Sequence, residues 1–397
     1  MSGLVQHSRR EIVQDIVQTP ADKHIEPKRL TSLDALRGVA ALSIVVWHWQ
    51  HFFAIHGSWQ SGWTAQMQPL YWLLKPLYVQ GWAAVDLFFV LSGFVFFWLY
   101  RDSIRNGAMG GWRFAVLRFS RLYPLHAAML IMVALLQSYY FRGHGQFFIY
   151  QDNDAAHFSS QLFMVQNWWP GSPQSFDGPS WSVSIEILLY FMFFAVCRAG
   201  LQRGVHCFLL ATMGYLLLTH DEHIARGVIG FFMGGAMFSL WRRFQGHRNI
   251  AIAARALTWT VLVGWLSLYA LLYGDDPWLA HGEGNYFFLT LFDFGLCPLT
   301  VLALALRETA GRRTFAWLGF LGDISYSTYL IHFPLQLALA VLATRFALAP
   351  ADFMHAWVML AFFAVLIGLG ALSYAYIEKP AQTWLRSRLV LRPAHAT

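Results

Sequence analysis

Arg37 and His48 stand 11 residues apart in LDALRGVAALSIVVWH. On a helix they differ by about 20° in direction and roughly 16 Å in height, so they share a face. A guanidinium and an imidazole placed this way can hold an anion and move a proton. His51 lies close by. The plainer alternative is an interfacial anchor plus a hydrogen-bonded core histidine. Asp86 stands alone among apolar residues in VDLFFVLSGF, where Ser92-Gly93 permits close helix contact. Arg118 and Arg121 are one turn apart in RFSRLYP. Two such guanidiniums can grip a phosphate, bind lipid head groups, or only set topology. WSVSIE puts Ser182 and Glu186 on one helix face beside Trp181. A glutamate in lipid needs a partner, such as a histidine or arginine from another helix. SYSTYLIHFP spaces Ser325, Tyr329 and His332 at i, i+4 and i+7, a polar stripe that should face a cavity. Asp293, Asp323 and Glu378 complete the ionisable groups in apolar runs. Glu378-Lys379-Pro380 reads most simply as a helix stop with an interfacial charge pair.

The elements that carry these groups follow from composition. Of 397 residues, 57% are hydrophobic and 12% charged, and the mean hydropathy is +0.44. An apolar surplus this large cannot be hidden inside one water-soluble fold. That excludes a soluble enzyme, a disordered chain and a collagen-like fibre. It predicts an all-α polytopic membrane bundle of ten helices near 38–57, 81–100, 122–141, 181–197, 205–219, 224–241, 257–273, 285–306, 314–343 and 353–377. The fifth is short, and the ninth invites a kink at Pro334. With the N-terminus inside, the 28 Lys and Arg fall on the inner side except Lys75, Arg142, Arg226 and Arg345. This satisfies the positive-inside rule and puts both termini in the cytoplasm. The predicted organisation is a cytoplasmic tail 1–30, a membrane domain 31–380 and a cytoplasmic tail 381–397, the last a short solvated segment. No cleavable signal, internal repeat or following soluble domain is expected. Cys197, Cys207 and Cys297 suggest buried hydrophobes rather than a disulfide framework or a zinc site.

Taken in order, LDALRGVAALSIVVWH, VDLFFVLSGF, RFSRLYP, WSVSIE, SYSTYLIHFP and IEKP resemble the successive signatures of acyltransferase family three. The likeness spans about residues 31–381. It implies an integral membrane enzyme of the bacterial inner membrane that moves an acyl group, usually acetyl, from acyl-coenzyme A to a hydroxyl. Family acceptors are mostly envelope glycans or glycolipids and occasionally small molecules such as macrolides. The family's essential Arg and His fall on Arg37 and His48, and its paired arginines on Arg118 and Arg121. Some members append an extracytoplasmic hydrolase-like domain; none is expected here, so the need for a partner protein stays open.

On this reading acetyl-CoA is the co-substrate and no metal is involved. Its phosphates meet the inner basic face at Arg118 and Arg121, with Arg37 nearby. The thioester reaches His48, which acts as general base on the acceptor hydroxyl. Glu186 or Asp86 would orient the imidazole. Tyr329 or His332 would stabilise the developing oxyanion. Trp181, Ser182 and Ser325 are the expected substrate contacts, with Trp168 and Trp169 also near the outer mouth. An acyl-histidine relay competes with direct transfer. The rival classes are a proton-coupled transporter or channel built on the same buried charges, and a non-catalytic glycan sensor. The expected surroundings are the lipid bilayer and an envelope acceptor, with no nucleic acid. Oligomeric state is not legible.

Overall fold

The computed structural model describes residues 29–55, 58–59, 61–274 and 283–389. Most of the expected N-terminal tail, and the outer acidic pair Asp275 and Asp276, lie outside the described residues. The account here concerns the unit from Thr31 onward.

Each of the ten predicted segments holds a helix among its described residues. In chain order they are α1 (Thr31–His48), α2 (Tyr71–Gln80) running into α3 (Ala84–Arg105), α4 (Gly111–His144), and, after the short α5 (Ala155–Leu162), α6 (Trp181–Arg198). Then come α7 (Gly204–Leu216), α8 (Glu222–Phe244), α9 (Ile250–Tyr273), and α10 (Glu283–Leu291) joined by a π turn to α11 (Cys297–Thr309). The last are the short α12 (Gly319–Asp323), α13 (Ser325–Arg345), α14 (Ala356–Ser373) and α15 (Lys379–Leu389). A two-residue antiparallel pair, Ala54–Ile55 with Ser58–Trp59, follows α1. Among the described residues, 8 helices are long and apolar enough to cross a membrane. The two predicted spans outside that set are α1, diluted by its polar stripe, and α7, short as expected.

The third helix begins at Gly111 rather than near 122, and three other boundaries differ from expectation, each beside a local contact. The first helix stops at His48 and tightens into a 3-10 turn, Trp49–Phe53, instead of running to residue 57. Its end carbonyl, His48 O, is taken by the Gln336 amide at 3.0 Å. The second span extends back to Tyr71, and its Lys75, a charge at which an apolar run would be cut, is buried and donates to Tyr273 O at 2.6 Å. The predicted ninth span is broken into α12 and α13. A side-chain carbon on Gly322 would fall 2.3 Å from Asp34 O, so the short helix lies flush on α1 and the chain restarts at Ser325.

The centre of the bundle is held by backbone contact. A Cβ on Gly93 would lie 1.8 Å from Phe231 O, and one on Gly234 would lie 2.1 Å from Val90 O. The expected close approach at Ser92-Gly93 is therefore made against α8, the small-residue packing that substitutes for hydrophobic driving force in lipid. Around this seam α1 packs against α3, α12 and α13, which sets its polar stripe inside the protein. Thr31, at the start of α1, is held by Glu308 rather than by Asp34 one turn on. Its hydroxyl and amide both reach Glu308 Oε1 at 2.9 Å, and Ser32 N donates to Glu308 Oε2 at 2.8 Å. The tail 381–397 is likewise not simply solvated. Through Leu389 it forms α15, whose Arg386 donates to Ser120 Oγ on α4 at 3.1 Å.

Candidate active site

His48 and His332, 284 residues apart in sequence, face each other with His332 Nε2 and His48 Nδ1 at 3.0 Å. Both are buried, as is His51. The proton positions follow by elimination. His332 Nδ1 lies against the Tyr329 carbonyl, which only accepts, so this nitrogen carries the hydrogen. In a neutral His332 the other nitrogen, Nε2, then accepts, and His48 Nδ1–H donates to it. In that tautomer the lone pair of the His48 ring lies on Nε2. Gln336 completes the unit by donating to His48 O and accepting from His51 Nδ1 at 3.1 Å. Gln336 was not singled out in the sequence, although it continues the Ser325, Tyr329, His332 stripe by one more helical repeat.

Two cavities meet near this centre. The larger, about 600 Å³, is lined by His48, Tyr329, Tyr150, Trp47, Trp82 and Trp181 among others. The smaller, about 130 Å³, runs between Arg37, Arg118 and Arg121 and the pair Ser182 and Tyr329. Glu186 and Ser325 also line it. Val85 and Tyr329 line both. Tyr329 O–H donates to Pro179 O, so the 2.8 Å contact with Ser182 is a bond donated by the serine. Tyr329 thus stands in the wall between the two spaces.

The arginines sit as a cluster at the end of the bundle where α4 begins. Arg37 pairs with Asp34, one turn earlier, at 3.2 Å. Arg118 is buried, donates to Tyr100 Oη at 2.6 Å and lies over the Phe96 and Tyr100 rings. Arg121 lies within electrostatic range of Glu186 and Glu378. Arg386 from α15 joins Arg118 and Arg121, a member the sequence reading had assigned to a tail.

Several expected roles change. Asp86 does not orient His48. It is paired with Arg226, Nε to Oδ1 at 2.9 Å and Nη2 to Oδ2 at 3.2 Å. Arg226 had been counted only as an outer basic residue, yet it is buried, lies over the rings of Trp82 and Trp181, and lines the larger cavity. Glu186 does not reach His48 either: it accepts from Tyr190 and lines the smaller cavity. The imidazole is oriented by another imidazole. The polar hydrogens of Tyr329 and of His332 Nδ1 are both committed to carbonyls, so the oxyanion role expected of them has no free donor in this arrangement. Trp181 lines the larger cavity, but Trp168 donates to Ser184 O at 3.0 Å and Trp169 is 58% exposed. Neither lines a cavity wall described above. Glu378 is buried and accepts from Ser327 rather than pairing with Lys379, which lies over the Tyr374 ring. Asp293 is buried in the π turn with neither carboxylate oxygen hydrogen-bonded to a described residue. The three cysteines are buried and unpaired.

Asp177 sits just ahead of α6, beside the Gly178 and Pro179 rim of the larger cavity. It is 2% exposed, and burial pushes its carboxyl up to about 8. An unfolded aspartate ionises near ~4, so the folded chain holds a proton that the unfolded chain sheds. This contribution is whole below that lower value and is lost as pH rises through about 8. The expected result is a thermal midpoint that falls between mildly acidic and mildly alkaline buffer. Asp177→Asn should flatten that fall. A parent profile as flat as the variant's would contradict it.

A family model described as an acyltransferase domain matches residues 30–375. The chain is similar to the acyltransferase MdmB of Streptomyces mycarofaciens, 28% identical over 339 residues, with 77% of this chain and 78% of that protein covered. It is similar to the O-acetyltransferase OatA of Staphylococcus aureus, 23% identical over 351 residues, covering 79% of this chain and 52% of the other. No solved structure matches it.

Proposed function

The chain belongs to this acyltransferase family as an integral membrane member, and from that premise we propose that it carries an acyl group from cytoplasmic acyl-CoA to a hydroxyl acceptor across the bilayer. The observation that carries the reading is His48, bonded through Nδ1 to His332 and set in the wall of a cavity of about 600 Å³. The arginine-bearing end faces the cytoplasm, with both termini on that side. Arg118 and Arg121, supported by Arg37 and Arg386, take the donor phosphates. The pantetheine arm enters the smaller cavity past Glu186 and Ser325 toward Ser182 and Tyr329. At about 130 Å³ that space is tighter than the arm, so binding parts its helices. The acceptor, an envelope glycan or glycolipid, occupies the larger cavity among Trp47, Trp82 and Trp181.

In the reaction His48 Nε2 takes the hydroxyl proton as oxygen attacks the thioester carbonyl. The C–S bond breaks, and the same proton passes to the departing thiolate. His332 keeps the His48 hydrogen on Nδ1, the part an aspartate plays in a serine triad. The competing course has Nε2 attack the thioester itself, and a labelled acyl-enzyme trapped without acceptor would select it.

The test is CoA release by the purified protein in bilayer discs, supplied with acetyl-CoA and a hydroxyl acceptor. His332→Leu should lower kcat about 10²–10⁴-fold with little change in KM. His332→Gln should recover part of the loss, because an amide oxygen accepts the same bond from His48. Equal loss in both variants would leave His332 as packing only. Solute uptake by the parent without any thioester cleavage would instead establish the transporter class.

A further inference from the structure

A separate cleft of about 450 Å³ lies where α4 and α13 end, lined by Tyr139, Tyr140, Arg142, His144, Thr344 and Arg345 among others. Its back is fixed: His144 Nε2 lies 3.1 Å from Thr344 Oγ1, tying the two helices, and Tyr140 stacks on His144 at 3.9 Å. Its rim carries two guanidiniums. Arg142 and Arg345 are both exposed, and neither forms an ion pair or hydrogen bond with another described residue. The other two basic residues read to this side are engaged, Lys75 with Tyr273 O and Arg226 with Asp86. Each arginine stands in the last turn of its helix, where a cation offsets the end carbonyls. That accounts for a charge at each end but not for both charges meeting at one cleft.

Apolar surface leads up to the same place. Ile131, Leu135 and Tyr139 are 51%, 68% and 60% exposed at i, i+4 and i+8, a stripe along α4 that ends one turn below Arg142. Phe346, 69% exposed, flanks Arg345. We propose that the cleft binds the phosphate of an anionic membrane lipid, gripped between Arg142 and Arg345, with an acyl chain lying along the α4 stripe. Paired guanidiniums suit a phosphate, and a greasy track below them suits a lipid over a free anion. The proposal does not depend on the acyl-transfer reading.

The experiment is native mass spectrometry of the full chain released from discs of mixed phosphatidylglycerol and phosphatidylcholine. The parent should retain phosphatidylglycerol about tenfold better than R142Q/R345Q, the scale of one lost charge-assisted bond. Phosphatidylcholine retention should not change. R248Q, an exposed arginine at the other end, should behave as the parent. If the double variant fails to fold, R345Q alone carries the comparison. Equal retention by parent and variant overturns the proposal. So does binding of inorganic phosphate in pure phosphatidylcholine discs without any preference for phosphatidylglycerol, which would make the cleft a site for a free anion.

Discussion

Replacing His48 by alanine is expected to lower turnover by at least 10²–10⁴-fold, the span a positioned general base contributes. If the ring is instead the nucleophile, the loss is larger still. The fold should survive, because the side chain makes few hydrogen bonds and its backbone carbonyl keeps the Gln336 contact. His332 then loses an imidazole donor, a cost of about 1–3 kcal/mol for an unsatisfied buried acceptor. The measurement is CoA release beside a thermal melt of the same preparation. Full turnover in a normally folded His48→Ala protein would end both mechanisms. Loss of turnover with collapse of the melt would decide nothing about chemistry, so His48→Gln belongs in the same series. It keeps a donor for His332 and lacks the basic nitrogen.

The second large effect concerns the Asp86–Arg226 pair, buried and bidentate at 2.9 and 3.2 Å. Arg226→Met should destabilise the protein by about 3–5 kcal/mol, since it strands a carboxylate where water cannot reach it. Asp86→Leu with Arg226→Met should recover most of that loss. A pair of well-packed apolar side chains is often as stable as the ion pair it replaces. Denaturation in one detergent gives the comparison. If the single and double variants are equally unstable, the guanidinium matters through its contacts with Trp82 and Trp181 rather than through its charge. Asp293 sharpens the expectation. A second carboxyl within electrostatic range of the same arginine, with no hydrogen-bond partner of its own, makes the site more dependent on that one cation.

The sequence carried the helices because lipid demands long apolar runs, and among the described residues eight of the ten predicted spans are helices long and apolar enough to cross a membrane. It carried Arg37, His48, Tyr329 and His332 because helical spacing puts polar groups on shared faces whatever the tertiary fold. It could not carry the pairings. Asp86 meets Arg226 across 140 residues, and His48 meets His332 across 284. No periodicity within a helix reports on its neighbour. Glu308 was missed for the same reason: a glutamate closing one helix caps the start of another. The early stop of α1 was hidden because Trp49–Phe53 holds neither Gly nor Pro to break the helix. Only the Gln336 amide on the last carbonyl marks the break. Arg386 was passed over because polar, arginine-bearing ends are usually solvated, and here one packs along α4 instead.

The wall at Tyr329 has an electrical consequence. Water reaching it from both cavities would leave little more than this ring and its serine partner as insulation, so the voltage across the bilayer would fall mainly there. On the proposed course the acyl group crosses this wall toward the acceptor while the hydroxyl proton crosses it toward sulfur, so the two displacements cancel in charge. A lone charge moved through the drop would feel about 2.3 kcal/mol for every 100 mV, and turnover of this balanced kind should feel none of it at equilibrium.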